Sequence, residues 1–267
     1  MTIGSRVLLM KNDGAAHFTI AAELPVMPVA HSLAAADYDN DGDLDLFVAC
    51  YGNDADTFGD NLAPLPWHDA NNGARNSLFR NELHDGTWAF ADVTNECRIG
   101  DSNTRFSFAA SWEDFDNDGD QDLYVANDFG RNNLYVNEMG RFRDAAADLG
   151  AEDLAAGMSA AWGDYNNDGA MDLCVGNMFS GAGNRTTFLN KFMPGAGDGI
   201  VQHYQRFARG NSLMKNIGGK FQDVTDEAKT AMGRWSWGTI FGDLNNDGWE
   251  DIVGLNGYIT GSDPQDL

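Results

Sequence analysis

A chain of 267 residues with 41 acidic against 17 basic side chains carries a formal charge of −24. That charge repels phosphate backbones and anionic membrane surfaces, which argues against nucleic acid or a lipid surface as partner. Apolar residues make up 43% of the chain, enough for a core, and no run of 18 apolar residues offers a transmembrane helix.

In chain order, Met1 to Met10 holds no long apolar stretch of the secretory kind, so a mature, trimmed or partial chain is expected. Val7-Leu-Leu-Met-Lys-Asn12 and Phe18-Thr-Ile20 read as two strands of a hairpin. An aspartate-rich turn follows, Asp37-Tyr-Asp39-Asn-Asp41-Gly42-Asp43-Leu-Asp45, and then the apolar run Leu46-Phe-Val-Ala. The blocks Asn76-Ser-Leu-Phe-Arg-Asn81 and Phe90-Ala-Asp-Val-Thr94 come next. The same series then recurs. Phe108-Ala-Ala-Ser-Trp112 leads into Asp114-Phe-Asp116-Asn-Asp118-Gly119-Asp120-Gln-Asp122, followed by Leu123-Tyr-Val-Ala, Asn132-Asn-Leu-Tyr-Val-Asn137 and Phe142-Arg-Asp-Ala145. Met158-Ser-Ala-Ala-Trp162 leads into Asp164-Tyr-Asn166-Asn-Asp168-Gly169-Ala170-Met-Asp172, followed by Leu173-Cys-Val-Gly, Asn211-Ser-Leu-Met-Lys-Asn216 and Phe221-Gln-Asp-Val-Thr225. The fourth turn is Asp243-Leu-Asn245-Asn-Asp247-Gly248-Trp249-Glu250-Asp251, before Ile252-Val-Gly-Leu.

Each turn puts acidic or amide oxygens at positions 1, 3, 5 and 9 around a glycine at 6. Carboxylates this dense repel unless a cation sits among them, and hard oxygen donors in a flexible loop suit calcium. An EF-hand shares the opening but needs a bidentate Glu at position 12 and flanking helices. Position 12 is Val48, Val125, Val175 and Gly254, and the flanking runs are strand-like. The loops therefore join two strands. The expected ligands are the side chains at 1, 3, 5 and 9 with the carbonyl at 7 (Asp43, Asp120, Ala170, Trp249), one calcium per loop and about four in all. The competing reading is an Asx-rich turn without metal, and four copies with the same oxygen positions weigh against it.

The turns begin at 37, 114, 164 and 243, and the spacing of 50 marks the basic unit. Four short strands per unit, A to the turn, B from it, then a C–D hairpin, describe a β-propeller blade. The fold class expected is all-β, with about four blades over residues 1–267 and little helix. A solenoid of nonapeptide repeats would place its motifs nine residues apart. Asn127, Asn177 and Asn256 end three B strands and read as turn-fixing residues. Cys50, Cys97 and Cys174 are odd in number and far apart, so they leave the redox compartment open.

The pattern Phe-Xaa-Asp-Val-Thr, then Trp-Xaa-Asp-Xaa-Asp-Xaa-Asp-Gly-Xaa-Xaa-Asp-Leu, then Val-Xaa-Asn resembles the FG-GAP/VCBS repeat. That repeat builds the calcium-binding propellers of integrin α subunits and of many secreted bacterial proteins. Gly183-Asn-Arg185, Gly210-Asn-Ser-Leu213, Trp235-Ser-Trp-Gly238 and Asn256-Gly-Tyr-Ile-Thr260 are similar to the ASPIC/UnbV proteins, which include cartilage acidic protein. The resemblance implies a seven-bladed, usually secreted propeller with calcium in the A–B loops. Four loops are fewer than seven, and a C-terminal ASPIC region is not seen. The expectation is therefore part of a larger ring, its open edges met by the rest of the polypeptide or a partner chain. The alternative is a four-bladed ring closed by Val7–Met10 against Val253–Leu255.

Strand direction places the B–C and D–A connections on the face opposite the metals. Two B–C connections are long. Residues 52–75 carry Asp54, Asp56, Phe58, Asp60, Trp67, His68 and Asp69, and residues 178–210 carry Met178, Phe179, Arg185, Phe192, His203, Tyr204 and Arg206. Loops on a rigid scaffold are where binding evolves. The leading function is an extracellular, secreted, periplasmic or cell-surface calcium-stabilised module that binds a protein or a glycan there, as in adhesion. The plainer role for Trp67 and Phe192 is to pin the loops. His17, His31, His68, His84 and His203 show no metal-triad spacing, and no nucleophile elbow or phosphate loop is present. No catalytic residue is assigned. A carbohydrate-active enzyme, lyase or glycosidase, using His68 or His203 with loop acids is the alternative, by fold analogy.

Overall fold

The computed structural model describes residues 2–3, 6–27, 29–52, 63–100 and 102–257. About 41% of the described residues are strand and 12% helix, in several four-stranded antiparallel sheets. The first sheet holds β1 (Thr2–Ile3), β2 (Arg6–Asn12) and β3 (Phe18–Pro25) in that order. The second is β4 (Ala30–Ala36), β5 (Asp45–Cys50), β6 (Ser77–Asn81) and β7 (Phe90–Asp92). The third is β8 (Phe106–Glu113), β9 (Asp122–Phe129), β10 (Asn133–Asn137) and β11 (Phe142–Asp144). The fourth follows the helical turn α1 (Ala146–Leu149) and comprises β12 (Gly157–Gly163), β13 (Asp172–Asn177), β14 (Ser212–Asn216) and β15 (Phe221–Asp223). Between β13 and β14 lie α2 (Gly181–Thr186) and α3 (Asp198–Arg209). After β15 come the helical turn α4 (Thr225–Ala228) and the pair β16 (Ser236–Gly242) and β17 (Asp251–Asn256).

The sheets stack like blades because the B strands bury both faces. Side chains alternate along a strand. Phe47 and Ala49 of β5 pack with Leu123, Val125 and Tyr135, while Leu46 and Val48 pack back on Val7 and Leu24. Tyr124 and Ala126 of β9 meet Leu173, Val175 and Met214, and Cys174 faces Phe241 and Ile252. Unbroken apolar runs such as Leu123-Tyr-Val-Ala, rather than apolar–polar alternation, are the signature of a strand covered on both sides. The A strands follow one another in space, β4 beside β8, β8 beside β12 and β12 beside β16, so they form the inner edge of the array.

Before the N-terminal hairpin lies a two-residue strand, Thr2 and Ile3 paired with Val7 and Arg6, so the first sheet has three strands where a full blade has four. One expectation needs correction. The second insertion is not a plain loop but is largely helical, because residues 198–209 place apolar groups on one face and Arg206 and Arg209 on the last turn. Among the described residues β17 pairs only with β16, and β2 only with β1 and β3, so Val7–Met10 and Val253–Leu255 are not paired. All three cysteines are buried and free.

Candidate metal centre

The four A–B loops share one backbone. The position-1 aspartate takes the N–H groups of positions 5 and 6: Asp37 from Asp41 and Gly42, Asp114 from Asp118 and Gly119, Asp164 from Asp168 and Gly169, Asp243 from Asp247 and Gly248. The position-5 aspartate takes the N–H of position 7 in every copy. Two residues turn left-handed, the glycine at 6 (φ 85 to 95°) and the asparagine at 4, Asn40, Asn117, Asn167 and Asn246 (φ 56 to 61°). Asparagine tolerates that conformation better than most side chains, which accounts for its recurrence.

Oxygens remain for a cation. Asp37, Asp39 and Asp45 bring carboxylate oxygens within 4.8 Å of one another, as do Asp114, Asp116 and Asp118. Asp39 Oδ1, Asn166 Oδ1 and Asp122 Oδ2 are buried without a hydrogen-bond partner, and Asp122 as a whole is only 1% exposed. A buried acceptor left unpaired is costly unless something positive meets it. Burial pushes the Asp122 carboxyl up to about 8 and those of Asp45 and Asp172 up to about 6; burial first and then neighbouring aspartates raise Asp39 and Asp116. A divalent cation would reverse that cost, so the donor set fits a hard metal ion.

The copies are not equal. In loop three, Asn166 Nδ2 donates to Asp172 Oδ2 at 3.0 Å, and Lys215 Nζ lies 3.4 Å from Asp168. The residue in register with Lys215 is Val136 beside loop two. Beside loop one it is Arg80, which pairs with Glu82 and Glu96. In loop four, Asn245 Nδ2 donates to Asp247. Loops one and two gather three carboxylates; among the described residues loops three and four do not.

Asparagines ending the C strands were not read as part of these sites. Asn81, Asn137 and Asn216 donate backbone N–H to the position-9 aspartates Asp45, Asp122 and Asp172, each at 2.7 Å. Their recurrence at the end of the Asn-Xaa-Leu-Xaa-Xaa-Asn block was the available signal. Asn127 and Asn177 are fully buried, and their backbone N–H groups donate to Asn132 and Asn211. Asn127 Nδ2 closes a turn onto the Arg131 carbonyl, whereas Asn177 Nδ2 donates to the distant Asp153 and Ser212 and fixes no turn.

On the opposite face the two insertions meet. Trp67, in a 3-10 turn over Trp67–Asp69, stacks on Tyr204 at 5.1 Å between centroids and touches Phe207 and Phe129. Phe192 packs on Tyr204. Trp67 therefore pins the first insertion to the blade at Phe129, the plainer of its two readings, whereas Phe192 packs within its own insertion. Gly130, at φ 93°, lets the first insertion lie close, since a Cβ there would collide with the Ala70 carbonyl. Asp69 is held by Arg105 at 2.6 Å and Arg131 at 3.0 Å; burial raises its carboxyl, but the two guanidinium groups outweigh that and lower it. Arg206 instead ties α3 to blade residues Asp153 and Asp223, each at 2.8 Å. The pocket of about 390 Å3 beside Asp69 is lined by neither His68, Arg185 nor Arg206. His68 faces His203 at 5.8 Å between centroids. Asp54, Asp56, Phe58, Asp60 and the Tyr258-Ile-Thr260 segment lie outside the described residues.

A sequence profile of the FG-GAP-like repeat matches residues 4–48 and 114–175. These two segments are similar to FG-GAP-like repeats. The matched segments contain the first three aspartate loops, end within β5 and β13, and leave out β8, the strand that leads into loop two. No curated protein matches the chain. No helix among the described residues is long and apolar enough to cross a membrane.

Proposed function

We propose that this chain is a calcium-stabilised binding module of the extracellular type, with metal on one face and partner on the other. The ligands assigned are the side chains at positions 1, 3, 5 and 9 of each A–B loop with the carbonyl at 7. Calcium would supply the charge that lets these carboxylates stay ionised together. Asp122 Oδ2, buried and unpaired, is the observation that carries this assignment.

The partner face is assigned from its aromatic band. Trp67, Phe129, Phe106, Tyr51, Phe108 and Trp237 follow one another at 5.6 to 5.9 Å between centroids. Trp67 and Trp237 remain 38% and 39% exposed at its two ends. Phe188, Leu189 and Met193 of the second insertion are exposed as well. Aromatic rings beside polar groups suit the apolar face of a sugar or a protein side chain. Screening glycan and protein arrays with the parent and with Trp237→Ala tests this. Binding that falls at least tenfold in the variant supports the reading, and binding that ignores Trp237 and Trp67 alike removes it. The facing pair His68 and His203 favours a second reading, a carbohydrate-active enzyme, which predicts bond cleavage in an array-positive glycan and its loss in His203→Ala.

A further inference from the structure

The position-9 aspartates of loops one and two are joined by an unbroken run of hydrogen bonds that crosses the interface between their blades. Asp45 accepts the Tyr38 N–H at 3.2 Å, and the Tyr38 carbonyl accepts Asn137 Nδ2 at 2.8 Å. The Asn137 N–H is the one that donates to Asp122. At the interface between the blades of loops two and three, the Phe115 carbonyl accepts Asn216 Nδ2 at 2.9 Å. The Asn216 N–H donates to Asp172. Asn137 and Asn216 are 0% and 2% exposed. Their remaining amide bonds go to Gln121 and Gly140, and to Met171 and Gly219, so neither side chain can turn without breaking several bonds. A second bridge joins loops one and two directly: Asn40 Nδ2 donates to Asp120 Oδ1 at 2.9 Å.

We infer that metal binding in loop one raises the affinity of loop two, and the reverse, with Asn137 as the positioning residue between them. The inference rests on the proposal that these loops bind calcium. The physical route is short. A cation on Asp45 orders the peptide of Tyr38, whose carbonyl then holds the Asn137 amide, whose N–H fixes Asp122 toward loop two. The cost of ordering the shared groups is met by the first ion, so the second binds to a site already arranged.

Calcium titration followed at the Gly42 and Gly119 amide resonances reads loops one and two separately. Asp118→Ala weakens loop two so that it stays empty over the calcium range that fills loop one, and coupling predicts that the Gly42 midpoint then rises about fivefold or more. In Asn137→Ala, where only the exposed Asn40 bridge remains, the same substitution at Asp118 should move that midpoint much less. Asn40→Gly removes only the exposed bridge and keeps the left-handed backbone, so it should reduce the dependence without endangering the fold. Retained resonance dispersion in each variant checks folding, and if Asn137→Ala loses it, Asn40→Gly decides. A Gly42 midpoint indifferent to Asp118→Ala overturns the coupling while leaving calcium binding standing. No calcium response at either glycine in the parent overturns both.

Discussion

The second loop, residues 114–122, and the third, residues 164–172, have the same backbone and opposite ways of carrying charge. In both, the first aspartate clasps two N–H groups and a glycine at position 6 reverses the chain. Loop two then packs five aspartates together with Val136 as its C-strand neighbour, whereas loop three replaces two of them by Asn166 and Ala170 and brings Lys215 to Asp168. Since the turn forms equally in both, its shape comes from local hydrogen bonds and left-handed residues. The carboxylates beyond those bonds are the ones left free to hold a cation, as proposed above. A lysine ammonium supplies one charge where calcium supplies two, so loop three is partly neutralised from within.

The largest effect expected from this comparison is on stability. Removing calcium should lower the melting temperature by several degrees, about 4 °C or more, because an ion that binds only the folded form stabilises it by mass action. Calorimetry with and without chelator measures this; an unchanged transition with the metal shown to be gone would contradict a structural role. Next in size, Asp118→Ala should weaken its own loop by about tenfold or more, equivalent to about 1.4 kcal/mol, while Asp168→Ala should do less. Equal losses would erase the difference between the loops. Lys215→Met should then tighten loop three by about two- to fivefold, the range of a partly exposed charge pair. A weaker loop three in that variant would mean that Lys215 assists the metal instead.

The smallest effect is the pH dependence, and it has a defined sign. Asp122, Asp45 and Asp172 hold protons more tightly folded than unfolded. Without calcium, their contribution to stability is full below about pH 4 and is lost as pH rises through about 6 for Asp45 and Asp172 and about 8 for Asp122. Calcium competes with those protons, so its affinity should climb over the same window. Melting curves from pH 4 to 9, with and without calcium, should therefore diverge steadily; parallel curves would show that these carboxylates do not bind the ion.

Much of this molecule is local and therefore legible in the sequence. Four turns with Gly at 6, B strands such as Leu123-Tyr-Val-Ala, and the hairpin blocks each form from neighbours a few residues apart, and their repetition announces stacked sheets. Asn at position 4 was equally local and carried the left-handed turn in every copy. The tertiary structure decided what depends on partners distant in the chain. Asn137 reaches the Tyr38 carbonyl across 99 residues, and Asn216 reaches Phe115 across 101. Trp67 finds Tyr204 only because two insertions of unrelated composition rise from the same face of blades one and three. A repeat pattern states that each copy has a C-strand asparagine. It cannot state that the amide of one copy lies on the metal loop of the copy before it, because that contact exists only once the blades have packed.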